Sequence, residues 1–347
     1  MNPIIFYALL AAALFGASTP FAKLLLGDIP PVLLAGLLYL GSGIGLSVAR
    51  LVRDRGWQPA GLARAEWPWL LGAIFFGGVL GPIALMMGLM HTSGAAASLL
   101  LNLEAVLTAV IAWVVFKENA DKRIVLGMLA IVAGGVVLSW PTTTISSSTS
   151  WVGPALVSVA CLCWAIDNNL TRKVSASDAL FIASSKGVIA GSVNCLLALF
   201  WGATLPGVGM TLSTMLVGLL GYGISLVLFV LALRGLGTAR TGAYFSTAPF
   251  IGALVAILVF GESPSLAFWL ASALMACGVW LHLTESHAHH HVHEPMEHAH
   301  QHSHDEHHQH EHPPELQSSA SHSHLHQHAA LSHKHPHFPD IHHRHPH

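Results

Sequence analysis

The sequence predicts an all-α, polytopic membrane protein: ten transmembrane helices in two inverted five-helix repeats, followed by a disordered C-terminal tail. Three observations predict it. Charged residues are only 9% of the 347-residue chain and hydrophobic ones 53%. A soluble domain carries about 25% charged residues, so too few are present to cover a water-facing surface. Apolar runs near the ~20 residues that cross a bilayer's hydrocarbon recur along the chain. Of the thirteen Lys and Arg before residue 287, eleven fall in every second gap between those runs.

The spans read as 3–26, 31–51, 68–90, 94–116, 123–140, 152–171, 179–201, 213–233, 239–260 and 264–283. Backbone groups in lipid must bond within their own segment, so these are helices. No basic stretch or evident cleavage site accompanies the first, which reads as a retained span and not a removed signal peptide. The second ends at a loop holding Arg50, Arg53, Arg55 and Arg64. Pro20 in the first and Pro82 in the third mark kinks. The fourth opens on Gly94-Ala95-Ala96-Ala97 and the fifth carries Gly134-Gly135; such small residues let helices approach closely. Lys117, Lys122 and Arg123 lie between these two, Arg172 and Lys173 after the sixth, Arg234 and Arg240 after the eighth. Loops 91–93, 141–151, 202–212 and 261–263 have neither Lys nor Arg. Positive loops stay in the cytoplasm, so both termini of a multi-pass protein of the plasma (inner) membrane are expected there. Cys161, Cys163, Cys195 and Cys277 all lie in spans, against a disulfide framework.

The chain repeats itself. Val115-Phe116-Lys117-Glu118 ends the fourth span and Val259-Phe260-Gly261-Glu262 the ninth. Leu107-Thr108-Ala109-Val110-Ile111 aligns with Ile251-Gly252-Ala253-Leu254-Val255, and Phe15-Gly16-Ala17-Ser18 with Trp164-Ala165-Ile166-Asp167. Five helices per unit is odd, so the second copy enters from the opposite face. The expected domains are 1–140 (first repeat), 141–151 (linker), 152–286 (second repeat) and 287–347 (tail). Inverted repeats are a mark of secondary transporters, with substrate bound near the midplane between the halves.

With Phe-x-Glu closing the fourth helix of each repeat, the chain resembles the EamA repeats of the drug/metabolite transporter superfamily. Leu14-Phe15-Gly16, Glu104, Pro249 and Lys186 add to the resemblance, which covers about residues 3–284. It implies export of amino acids, other metabolites or drugs. Tyr39 departs from the pattern, standing where the family often has Arg.

A charge inside the bilayer costs about 2.5–3.5 kcal/mol on insertion scales, so each one calls for a reason. Glu104 sits mid-span, Asp167 deep in the sixth span with Asn168 and Asn169 after it, and Lys186 about 10 Å into the seventh at 1.5 Å per residue. Cys163, Asp167 and Thr171 share one helix face, as do Glu104 and Thr108. Ser98 and Asn102 form a second polar stripe pointing elsewhere. Glu104, Asp167, Asn168, Lys186 and Asn102 are the candidate pathway residues, with Lys186 the countercharge to one acid. A carboxylate there can trade a proton for a cationic substrate. The bland alternative is a static Asp167–Lys186 pair and a Glu104 that only bonds a neighbouring helix. Glu118 and Glu262, at helix ends, suit capping or loop fixing.

The tail holds 24 of the 26 His. They include His287, His289, His290, His291, His298, His300, His302, His304, His307, His308, His310, His312, His322, His324, His326 and His328. Its polar composition cannot build a core. Neutral imidazole binds Ni²⁺, Co²⁺ and Zn²⁺, so the tail is a candidate metal-binding segment; no cofactor is otherwise called for. The first expectation is an exporter of divalent transition metals, nickel or cobalt with zinc close behind, by proton antiport. The alternatives are a metabolite exporter with a metal-binding or pH-sensing tail, and a membrane-anchored metal buffer or sensor. Its partners are the lipid bilayer and a small solute or metal ion, with a homodimer left open and no nucleic acid. Nothing calls for catalysis.

Overall fold

The apolar runs are helical, as peptide groups in hydrocarbon require. The computed structural model describes residues 3–56, 58, 62–116, 122–140, 151–174, 177–236, 238–283, 288–293, 296–302, 322–328 and 331–336. The first repeat consists of α1 (Pro3–Leu25), α2 (Pro31–Arg53), a third pass, a fourth pass and α7 (Lys122–Ser139). The third pass is α3 (Trp67–Ala73), a π-helical segment (Ile74–Leu80) and α4 (Gly81–Met90). The fourth is α5 (Gly94–Leu100) followed by α6 (Asn102–Phe116). The second repeat has α8 (Val152–Thr171) and α9 (Ala179–Phe200). Its third pass is α10 (Val208–Gly218), a π-helical segment (Leu219–Ile224) and α11 (Ser225–Leu236). α12 (Thr238–Phe245), α13 (Ala248–Phe260) and α14 (Leu266–Leu283) complete it. Seven helical runs among the described residues are long and apolar enough to cross a bilayer by themselves, with α13 and α14 as shorter apolar helices.

Periodicity predicts unbroken spans, yet the third and fourth passes of each repeat are irregular. The cause is local. Pro82 has no N–H and its ring crowds the preceding turn, and the π segment lies just before it. The carbonyls of Gly77 and Gly78, five and four positions back, are taken by side chains instead. Tyr39 Oη and Trp164 Nε1 donate to Gly77 O at 2.8 and 3.0 Å, and Asn194 Nδ2 donates to Gly78 O at 3.1 Å. At Leu101, Asn102 Nδ2 donates back to Leu99 O at 2.9 Å. At Ser246-Thr247, Thr247 Oγ1 donates to Tyr244 O at 2.6 Å, and Pro249 occupies the first turn of α13. Side chains that bond their own backbone compete with the helix.

The repeats interlock. α1 packs against α11 and α13 of the second repeat, and α8 against α4 and α6 of the first. The second helices, α2 and α9, pack face to face, as do the fifth, α7 and α14. Glycine makes the α2–α9 contact close: a Cβ on Gly43 would sit 2.2 Å from Val188 N. One end of this pair is tied by charge. Asp178, the N-cap of α9, accepts from Arg50 Nε at 3.0 Å and Arg53 Nη2 at 2.6 Å, and Arg50 lies 5.2 Å over the Phe181 ring.

Residues 286–347 form a separate unit. Its described backbone is extended: β1 (Ala288–His293) pairs antiparallel with β4 (Leu331–Pro336), and β2 (Met296–His302) with β3 (His322–His328). The His-x-His alternation matches the two-residue period of a strand.

Candidate functional site

The irregular passes meet the polar residues of α8 and α9. Lys186 Nζ donates to both oxygens of Asp167, at 2.6 and 2.7 Å, and lies 3.4 Å from Thr171 Oγ1. Thr171 Oγ1 donates to Asp167 Oδ1 at 2.8 Å, so the i, i+4 face read from the sequence is built as expected. The floor under this pair is Gly77 of the first π segment. A Cβ there would be 1.8 Å from Asp167 Oδ2.

Beside it, Asn168 Nδ2 donates to Glu104 Oε1 at 2.9 Å and lies 3.4 Å from Thr108 Oγ1. Glu104 stands in the first turn of α6, just past the break in the fourth pass. Among the described residues no ion pair holds Glu104, whereas Asp167 has its cation within contact. The two acids are therefore chemically unlike: one is a closed ion pair, the other a carboxylate with an amide partner. This is the arrangement the sequence offered as its structural alternative, an Asp167–Lys186 pair with Glu104 bonded to a neighbouring helix.

An aromatic row leads away from Gly77. Tyr39 and Tyr222 have ring centroids 5.5 Å apart, Tyr222 and Phe15 6.1 Å, Phe15 and Phe245 5.4 Å, and Phe245 and Phe229 4.7 Å. All five rings are half-buried. The row is not legible in the sequence, since its members come from α1, α2, α11, α12 and the second π segment. Two signals were available, Tyr39 as a departure from the family pattern and Phe15 in Leu14-Phe15-Gly16.

Asn102 is placed elsewhere. It is buried, donates back across the break to Leu99 O on α5, and its Nδ2 lies 3.8 Å from Met275 Sδ on α14. It is not brought together with the acids. Cys161 Sγ donates to Leu100 O at 3.6 Å, so it packs and does not pair with Cys163. Among the residues described, no group of three or more His, Cys, Asp or Glu is placed to hold a metal ion. In the tail, backbone register sets His298 opposite His326, His300 opposite His324 and His302 opposite His322. His289, His290 and His291 lie on β1, and His328 closes β3. His287, His304, His307, His308, His310 and His312 lie outside the described residues.

Two interlocked five-helix repeats, with interrupted passes meeting at polar residues of α6, α8 and α9, define a polytopic membrane transporter. The chain belongs to the EamA-like transporter family, whose pattern matches residues 2–140 and again 151–284. It is 27% identical over 286 residues to an uncharacterized transporter of Methanothermobacter thermautotrophicus, covering 78% of this chain and 83% of that one. It is 22% identical over 274 residues to the uncharacterized transporter YyaM of Bacillus subtilis, covering 74% and 86% respectively. A solved crystal structure, 21% identical, matches with a TM-score of 0.58 over 79% of this chain and 94% of that one. At that identity the likeness concerns the fold alone.

Proposed function

We propose that the protein is a proton-coupled exporter of a small metabolite carrying an amino group, an amino acid or amine. One observation carries this reading: Glu104 has Asn168 as its amide partner and, among the described residues, no cation in an ion pair, while Asp167 is neutralised by Lys186. One available carboxylate with aromatic rings nearby suits an ammonium, which the carboxylate pairs and the ring faces attract. Loading Glu104 with a proton instead would release the substrate, giving exchange of one for the other. The basic loops support a reading in which the chain spans the plasma membrane with the Arg50 end and both termini in the cytoplasm. The fitting role is carriage and not catalysis.

A second reading, export of a divalent metal by the same exchange, is favoured by the tail. Opposed His pairs along β2 and β3 suit Ni²⁺, Co²⁺ or Zn²⁺, and a metal-collecting segment at the donor side suits export. Within the bundle it is the weaker reading, because Glu104 contributes one carboxylate where a bound ion takes three or four ligands.

The test is uptake into everted vesicles of labelled amino acids, amines, nickel, cobalt and zinc. Flux of an amino compound that falls at least about tenfold in Glu104→Gln, the effect of losing about 1.4 kcal/mol of substrate or proton binding, is expected. Metal flux with no amino-compound flux would replace the first reading with the second. Undiminished, equally pH-dependent flux in Glu104→Gln would remove Glu104 from both.

A further inference from the structure

At the end of the bundle away from Arg50 and Asp178, two charged side chains hold one turn. The turn joins α4 to α5. Glu262, just beyond α13, accepts from Gly94 N at 2.8 Å on one oxygen and from Ala95 N at 2.9 Å on the other. Gly261 makes this reach feasible: it ends α13 at φ 68, a left-handed position natural to glycine. On the other side of the same turn, Lys23 of α1 donates to Leu89 O, near the C-terminus of α4. Each charge meets the helix end of opposite polarity. Phe21 and Phe260 close edge to face beside them, centroids 5.3 Å apart. The clasp residues Lys23 and Glu262 themselves line an open pocket of about 490 Å³, together with Pro20, Leu24, Met90 and Phe260.

Glu118, the counterpart of Glu262 in the first repeat, lies outside the described residues, so the two ends are compared by packing alone. The sequence repeat relates position 98 to position 242, 144 residues on. Ser98, on α5, is 1% exposed, with its Oγ within 2.8 Å of where a Cβ on Gly252 would lie. Gly242, on α12, is exposed, and a Cβ on it would meet nothing within 4 Å. α5 packs against both α1 and α13. Its counterpart α12 packs against α1 and α11, with no comparable packing on α6 or α8 among the described residues. Among the described residues, α5 is thus packed shut against its neighbours and its counterpart α12 is not.

We propose that Glu262 is the latch of a gate at the end of the bundle opposite the basic loops, and that the structure is the state with this gate closed. Opening requires α1 and α13 to part from the α4–α5 turn, and Glu262 must give up both N–H groups for that to happen. The charge matters because an ionised acceptor makes the stronger hydrogen bonds. A glutamine of the same shape has one carbonyl oxygen and can hold only one of the two amides with full strength. The proposal rests on the chain being a carrier and not on which solute it carries.

The test uses two cysteine reporters in the full-length protein, reconstituted in proteoliposomes. Ser98→Cys sits beneath the latch, and Gly242→Cys sits at the open end. Each is reacted with a small hydrophilic methanethiosulfonate, with the signal of the native cysteines subtracted using the parent chain. In Glu262→Gln, modification at position 98 should accelerate about tenfold, the population change given by about 1.4 kcal/mol of lost latch. Modification at position 242 should slow, because alternating access closes one end as the other opens. Glu262→Asp, which keeps the charge on a shorter arm, should fall between the parent and Glu262→Gln. No change at position 98 would overturn the proposal. So would acceleration at both positions, since that is the mark of a residue that only holds the fold together.

Discussion

Replacing Lys186 with Met removes the cation that both Asp167 oxygens accept from and leaves a carboxylate stranded inside the bundle. The loss can be sized. The two bonds are 2.6 and 2.7 Å long, and the side chains are 16% and 9% exposed, so solvent screens little of the attraction. Unit charges about 4 Å apart attract by about 4 kcal/mol at an effective dielectric near 20, and this pair is closer. Breaking a buried pair by removing one member costs about 3–5 kcal/mol, whereas replacing both members is often close to neutral. Lys186→Met should therefore destabilise by about 3–5 kcal/mol, and Lys186→Met with Asp167→Asn by no more than about 1–2 kcal/mol. Asn at 167 can still accept from Thr171. Unfolding by SDS in mixed micelles, followed by tryptophan fluorescence, gives the four corners of the cycle. A single variant costing under about 1 kcal/mol, or a double variant no more stable than Lys186→Met, would refute the reasoning. Flux through the double variant adds a second reading: stability restored with flux still lost would give the pair a part in the transport cycle beyond holding the fold.

Gly77→Ala would place a methyl 1.8 Å from Asp167 Oδ2; it should cost about 1–3 kcal/mol by overpacking and abolish flux, while Gly242→Ala leaves stability unchanged in the same titration. Tyr39→Phe removes one of two donors to Gly77 O and should cost only about 0.5–1.5 kcal/mol, but combined with Trp164→Phe the loss should exceed the sum, because the carbonyl is then buried and unpaired. Burial works to raise the Asp178 carboxyl, but hydrogen bonds from Arg53 and Arg50 outweigh it and hold the group at about 2. A depressed carboxylate stabilises the fold above its unfolded value of about 3.9. The stability gap between parent and Asp178→Asn should thus be constant from pH 7 to about pH 5 and shrink as pH falls towards 2; a gap that closes already between pH 7 and 5 would contradict the assignment. Truncation after residue 286 should abolish high-capacity Ni²⁺ and Zn²⁺ binding by calorimetry while amino-compound flux persists.

Composition, loop charge and the internal repeat were enough to establish that the chain crosses a membrane repeatedly, that it does so as two related halves, and that Glu104, Asp167 and Lys186 lie inside it. These properties are legible because they are local or additive: hydropathy sums along a segment, and a repeat is a comparison of the sequence with itself. The i, i+4 face of Asp167 and Thr171 belongs to the same class, since one helix decides it. What periodicity could not reach were contacts between passes. Only the tertiary structure decided that Lys186 neutralises Asp167 and leaves Glu104 to Asn168, because that choice depends on how α6, α8 and α9 meet. It also moved Asn102 away to Met275, assembled the aromatic row from both repeats, and gave Glu262 its two amide partners 167 and 168 residues away. The broken fourth and ninth passes belong between the two classes: Pro249 and Asn102 carry the local cause, but a helix of unbroken apolar residues conceals it until neighbouring passes supply partners for the freed backbone groups.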